Sequence, residues 1–262
     1  MEKIGRHFLL VHGACHGAWC WYKISTLLKT KGHKVTVLDM TASGIHPKQV
    51  HEVHSYSDFT EPLVEFMASL SPKERVILVG HSMGGTWISA AVESFPERIS
   101  VAVYAAAVMP GPHLSYSAIK EEFNGRLESY MDTHFTYDEG PHNPPTALLF
   151  GPKFLASKFY QLSPTEDLEL ALLLVRPFRL LDLVEVSSSK AAHLTKEKYG
   201  SVPRVYIVCD QDYVIKEDFQ RWMIEHNPPD QVKVISGSDH MVMFSKPLEL
   251  CSSLLEIADK YY

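Results

Sequence analysis

The sequence predicts an α/β fold, a mostly parallel, twisted sheet with helices on both faces, interrupted by a mainly helical insertion. Three observations carry this expectation. Short apolar runs alternate with amphipathic stretches of helical length, the rhythm of parallel strands joined by crossover helices. Polar turns holding His12, Ser82, Asp212 and His240 follow strand-like runs, so the reactive side chains collect past strand carboxyl ends. The alternation also lapses between 110 and 202 and resumes after it. A chain of 262 residues, 45% hydrophobic and 21% charged, is long enough for one large core.

In order, strands are expected near 7–12, 34–39, 75–81, 99–107, 204–209 and 231–235. Helices are expected near 19–31, 58–70, 83–95, 216–226 and 246–260. The run FLLV at 8–11 is continuously apolar, as a strand buried on both faces must be, and leads into His12-Gly13-Ala14-Cys15-His16-Gly17. RVILV at 75–79 ends in Gly80-His81-Ser82-Met83-Gly84, and a helical run begins at once. ISVAVYAAAVM at 99–109 is the longest apolar stretch; a membrane span needs about 20 such residues, so it reads as a central strand. RVYIVC at 204–209 ends in Asp210-Gln211-Asp212, and QVKVI at 231–235 ends in Ser236-Gly237-Ser238-Asp239-His240. The core is therefore expected at 1–109 and 203–262. The intervening 110–202 forms a cap region with helical stretches at 120–131, 151–161 and 163–174.

Ser82 stands where a strand turns sharply into a helix. A corner that tight strains the serine backbone, and Gly80 and Gly84 leave room on either side, with Gly85 letting the helix pass close to the strand. A serine hydroxyl becomes a nucleophile only with a base beside it and a group to orient that base. Of 14 histidines, His240 has the fitting position past a strand end. Asp210, Asp212 and Asp239 are all near enough in sequence to orient it. Asp239, adjacent to His240 in a turn, is the better turn acceptor, and Asp212, farther past its strand, is preferred to Asp210. The chain order Ser, Asp, His is that of α/β-hydrolases. The amide after the nucleophile, Met83, and that of Ala14 are the expected oxyanion donors.

A formal net charge of -6, without a Lys/Arg cluster, argues against a nucleic-acid partner. Four scattered cysteines suggest neither a disulfide framework nor a metal site; Cys15 and Cys209 flank the serine, where buried packing is the expected role. No cofactor, metal or membrane is expected. The N-terminus has no charged and apolar leader pattern, so the expected location is cytoplasmic. A homodimer is compatible with the sequence.

The stretches HFLLVHGACHGAWCWYK, GHKVTVLDMTASGI, VILVGHSMGG, FGPKFLASKFYQLSPTEDLELA and GSDHMVM resemble the plant methylesterase and hydroxynitrile lyase family of α/β-hydrolases, over nearly the whole chain. The resemblance implies a Ser82, Asp212 and His240 triad, which settles the choice of aspartate, and oxyanion amides at Ala14 and Met83. It implies a serine carboxylesterase acting on methyl esters of small plant metabolites through an acyl-enzyme. Lyases of the family carry threonine at the Gly13 position and lysine at the Met241 position, and those groups handle the cyanohydrin, so lyase chemistry is disfavoured. SGIHPKQ, MPGP, GPHNPP and HNPPDQV are most similar to the methylketone synthase branch, which keeps a β-keto ester or acid hydrolase-decarboxylase as an alternative. The decarboxylase of that branch has alanine where this chain has Ser82. A ligand-binding receptor on the same scaffold is a third reading. Tyr130 takes the place of a bulky indole in the cap. Expected substrate-pocket residues are Gly13, His16, Tyr130, Phe135, Phe150 and Met241.

Overall fold

Six strands form one parallel sheet: β1 (His7–Val11), β2 (Lys34–Leu38), β3 (Val76–His81) and β4 (Ile99–Ala105), then β8 (Arg204–Cys209) and β9 (Gln231–Ile235), in the order β2-β1-β3-β4-β8-β9. The structure is a computed structural model that describes residues 5–126, 128–181 and 193–262. Every residue of β1, β3 and β4 is buried, which explains why these strands read as unbroken apolar runs rather than alternating ones. Their side chains divide by parity between two cores. Leu9, Val11 and Leu78 face Phe59, Met67 and Trp87 from α2 (Tyr56–Ser69) and α3 (Gly84–Ser94). Phe8, Leu10, Ile77 and Val79 face Leu28 of α1 (Tyr22–Thr30) and Leu254 of the C-terminal helix Pro247–Tyr261.

Helix boundaries follow local chemistry. Ser55 Oγ accepts from the Asp58 N–H while Asp58 Oδ2 accepts from the Ser55 N–H, a reciprocal cap that starts α2. Gly32, at φ +82, takes the left-handed turn just after α1. The stretch expected as one helix at 19–31 divides into a 3-10 turn, Ala18–Trp21, and α1.

β1 lies between β2 and β3, so the chain leaves β1 to one side and returns on the other. The carboxyl ends of β1 and β3 therefore flank a topological switch point, where open α/β sheets bind their ligands.

Between β4 and β8 the chain forms α4 (Tyr116–Arg126), a short α5 (Pro152–Phe154) continued by a π-type turn, Leu155–Phe159, and α6 (Thr165–Leu174). It also forms an antiparallel sheet, β5 (His134–Thr136), β6 (Ala147–Leu149) and β7 (Phe178–Arg179), that the expected helical insertion did not contain. Strands of two or three residues are too short to show alternation. The helix expected at 120–131 begins earlier, at Tyr116, and Arg126 is its last described residue; 127 and the 182–192 part of the expected insertion lie outside the described residues. Among the described residues no helix is long and apolar enough to cross a membrane. All four cysteines are free and buried.

Candidate active site

The serine corner has the geometry its sequence demands. Ser82 sits at φ +54, the left-handed region that a non-glycine residue occupies only under constraint. A Cβ on Gly84 would lie 2.6 Å from the His12 carbonyl oxygen, and one on Gly80 would lie 2.9 Å from the Gly84 backbone, so β1, β3 and α3 close on one another only with glycine at both places. Ser82 is 7% exposed, and that exposure faces a cavity.

His240 and Asp212 meet beside it. His240 Nδ1 is 2.7 Å from Asp212 Oδ2, with both side chains fully buried. Asp212 Oδ1 accepts the N–H groups of Val214 at 2.7 Å and Ile215 at 2.9 Å, so the carboxylate is aimed by its own loop. A carboxylate only accepts, so Nδ1 carries a proton, and in the neutral imidazole Nε2 presents a lone pair. Nε2 is buried without a hydrogen-bond partner, and no Ser82–His240 hydrogen bond is formed. The imidazole is held between the rings of His81 and Phe159, each 4.7 Å away between centroids, and His81 Nε2 donates to the His240 carbonyl at 2.8 Å.

The other two aspartates are engaged elsewhere. Asp210 accepts from Ser236 Oγ and the Gly237 N–H, each at 2.7 Å, closing the turn after β9. Asp239 Oδ2 accepts from the Leu162 N–H at 2.9 Å and Ser163 Oγ at 2.8 Å, so it bonds to the insertion. Burial raises its carboxyl above the usual range.

Ala14 and Met83 lie beside Ser82 on the cavity floor, and among the described residues neither N–H donates to a protein acceptor. The peptide carrying the Ala14 N–H is held by His12, whose Nδ1 is 2.8 Å from the Gly13 carbonyl and whose Nε2 accepts the Met40 N–H at 3.1 Å. Gly13 does not reach the cavity wall; a Cβ there would stand 2.7 Å from Ser82 Cβ. Burial pushes the Cys15 thiol up to about 12 and Cys209 well above its usual range, so neither is a thiolate beside the serine.

The cavity has about 150 Å³ of water-accessible volume and mostly apolar walls. Phe59, Trp87 and Phe178 form one wall, with Phe178 of β7 meeting Phe59 edge-on at 5.4 Å. Phe150, Phe154 and Phe159 form another, with centroids 4.8 to 5.5 Å apart. Tyr130 and Phe150 line the cavity as expected from the sequence. Phe135 does not: it stands edge-on behind Tyr130 at 5.3 Å. His16 also lies outside the lining, because its ring is buried among Trp19, Phe159 and Tyr160. Met241 is fully buried in the core against the α1 side of the sheet. Tyr56, Tyr116 and Ile119 line the cavity without having been singled out; each precedes the stretch expected as helix, 58–70 or 120–131, and stands in the first turn of the helix that forms.

Residues 8–253 match the model of the alpha/beta hydrolase family. The chain is 56% identical to methyl jasmonate esterase 1 of Vitis vinifera, with all of both chains covered. It is 45% identical to polyneuridine aldehyde esterase of Rauvolfia serpentina, over 98% of this chain and 97% of that one. It superposes on tomato methylketone synthase I complexed with 2-tridecanone at a TM-score of 0.95 and 50% identity, covering 99% of this chain and 100% of that one. With the parallel sheet, the strained serine corner and these matches in agreement, the chain belongs to the alpha/beta hydrolase family.

Proposed function

We propose that the protein is a serine carboxylesterase that hydrolyses methyl esters of small plant metabolites. The observation that carries this reading is the buried Asp212–His240 pair, its Nε2 lone pair unengaged, at the same sheet edge as the strained Ser82. The relatives named methyl jasmonate esterase and polyneuridine aldehyde esterase support the substrate class.

Ser82 Oγ gives its proton to His240 Nε2 and bonds to the ester carbonyl carbon. The carbonyl oxygen becomes an oxyanion held by the N–H groups of Ala14 and Met83, at the amino end of α3 where the helix dipole favours negative charge. Asp212 stabilises the imidazolium. The tetrahedral centre expels methoxide, which takes the proton from Nε2 and leaves as methanol. Water, deprotonated by the same nitrogen, then attacks the acyl-enzyme, and the acid departs with Ser82 regenerated. The insertion acts as a cap at 110–202 whose aromatic walls receive the acyl group. The buried, unpaired thiols fit a cytoplasmic protein, and the partner required is a small-molecule ester alone.

Turnover of methyl and p-nitrophenyl esters by Ser82→Ala tests the mechanism. A loss of at least about 10³-fold in kcat with the fold intact is expected; retained turnover sinks it. A second reading, β-keto acid decarboxylation, draws on the match to a methylketone synthase and on the apolar cavity. Release of methyl ketone from a 3-keto acid no faster than the spontaneous rate removes it.

A further inference from the structure

The loop after β1 turns at Cys15, whose φ of +62 puts it, like Ser82, in the left-handed region. Such a conformation is strained and persists where the surroundings over-determine it. Here the surroundings belong to the insertion. The Arg176 N–H donates to the Cys15 carbonyl at 2.9 Å, and Cys15 Sγ lies 3.6 Å from the Leu148 carbonyl. The Tyr160 hydroxyl is 2.8 Å from His16 Nε2, while His16 Nδ1 is 2.9 Å from the Ala14 carbonyl.

The direction of that chain of bonds is fixed by chemistry. A carbonyl only accepts, so Nδ1 carries the proton and Nε2 accepts from Tyr160 O–H. Burial takes His16 down to about 3, so the ring is neutral at working pH and Nε2 stays an acceptor. Ring centroids of Trp19, Phe159 and Tyr160 lie 5.3, 5.9 and 6.0 Å from the imidazole, all near-parallel to it, so the ring is sandwiched in one orientation.

We propose that Tyr160 and His16 are positioning residues: through them the insertion fixes the oxyanion loop and hence the direction of the Ala14 N–H. This rests on the esterase reading, in which that N–H receives the oxyanion. His12 holds the carbonyl before the Ala14 amide group and His16 the carbonyl after it, so the N–H loses its freedom to rotate away. An oxyanion exists only in the transition state and the tetrahedral intermediate. Loosening its donor therefore lowers kcat and leaves ground-state binding alone.

Tyr160→Phe removes one hydroxyl and keeps the stacked ring. Removing an oxyanion donor outright costs about 10²–10³ in kcat; loosening one is expected to cost about 10- to 100-fold, with KM within about twofold. Affinity for a trifluoromethyl ketone, which adds Ser82 and forms a stable oxyanion, should fall by the same factor as kcat. A merely structural hydroxyl would lower the melting temperature without that parallel loss. Wild-type kcat and ketone affinity in the folded variant overturn the proposal. In the native protein, the imidazole ¹⁵N spectrum should show His16 as the neutral Nδ1–H form down to about pH 4. The Nε2–H form there overturns the proposal, whether or not the variant folds. A native protein that hydrolyses no ester overturns the esterase reading and this inference together; an active native enzyme with an unaffected variant overturns the inference alone.

Discussion

Replacing Asp212 by Asn should cost far more activity than the loss of one charge suggests. Asp212 accepts three hydrogen bonds: from His240 Nδ1–H on Oδ2, and from the Val214 and Ile215 N–H groups on Oδ1. An asparagine has one oxygen for these donors. Turning its NH₂ toward Val214 and Ile215 leaves two N–H groups unmet, each at about 1–3 kcal/mol. Turning it toward His240 leaves one nitrogen to satisfy, and the imidazole can comply by moving its proton to Nε2. The second orientation wins by two unmet donors. Nε2 is then a donor facing Ser82, and the serine has no base. The corresponding change in a serine protease triad lowers kcat about 10⁴-fold, equivalent to about 5.5 kcal/mol of transition-state stabilisation. Steady-state kinetics on a p-nitrophenyl ester should show that loss with KM little changed, and ¹⁵N spectra should show His240 as the Nε2–H form. A kcat within tenfold of wild type, or a retained Nδ1–H form, would refute the reasoning.

Gly13→Ala places a Cβ 2.7 Å from Ser82 Cβ, 3.2 Å from Ser82 Oγ and 3.3 Å from the His81 carbonyl oxygen. The serine corner cannot retreat, because Gly80 and Gly84 already sit in backbone contact. Overpacking of about 1–3 kcal/mol and a drop of about 10²-fold in kcat from the displaced hydroxyl are expected, read by urea unfolding and ester turnover; unchanged values in both count against the packing argument. Stability should also fall on acidification. Burial lowers His12, His16 and His81, with His16 down to about 3, so each binds its proton more weakly folded than unfolded. The unfolded chain then holds more protons below its histidine pKa of about 6.5, and stability present above that pH is lost as the pH falls toward the folded values. Each such histidine contributes up to about 1.4 kcal/mol per pH unit. Urea midpoints should drop steeply from pH 7 to pH 5, and a flat profile would contradict the burial of neutral imidazoles.

The four inner strands were legible because burial on both faces leaves one signature, continuous apolar residues, while the edge strands β2 and β9, KVTVL and QVKVI, alternate and are partly exposed. The placement of Ser82, Asp212 and His240 past strand ends was legible because strand ends announce themselves as Gly, Ser and Asp turns. The insertion was half legible. α6 gave a helical pattern, while β5 to β7 are too short for any period to register. The cavity wall was the least legible part. His16 and Met241 stand close in sequence to Ala14 and His240, yet sequence proximity does not say which way a side chain points, and both turn inward to pack. Phe135 stands one ring behind Tyr130, outside the cavity lining. Trp87 was hidden for the opposite reason, since an amphipathic helix looks the same whether its apolar face meets a sheet or a substrate.

These contrasts divide the molecule by task. Ser82, Asp212, His240 and the Ala14 and Met83 amides all come from loops after β1, β3, β8 and β9, whose spacing is set by the sheet. The cavity walls come mainly from the insertion and from α2 and α3. Substitutions at Phe150, Tyr130 or Phe178 should therefore change which acyl group binds, while kcat for a small acetyl ester, which touches few of those rings, stays near its original value. The two tasks meet within the insertion. Residues 159–163 place the Phe159 ring on His240, bond Asp239 through Leu162 and Ser163, and reach the oxyanion loop through Tyr160. A repacked acyl pocket that shifts this segment moves the base and the oxyanion donor together. Variants with changes at 159–163 should thus lose kcat on every ester alike, whereas those on the outer walls should trade one ester for another.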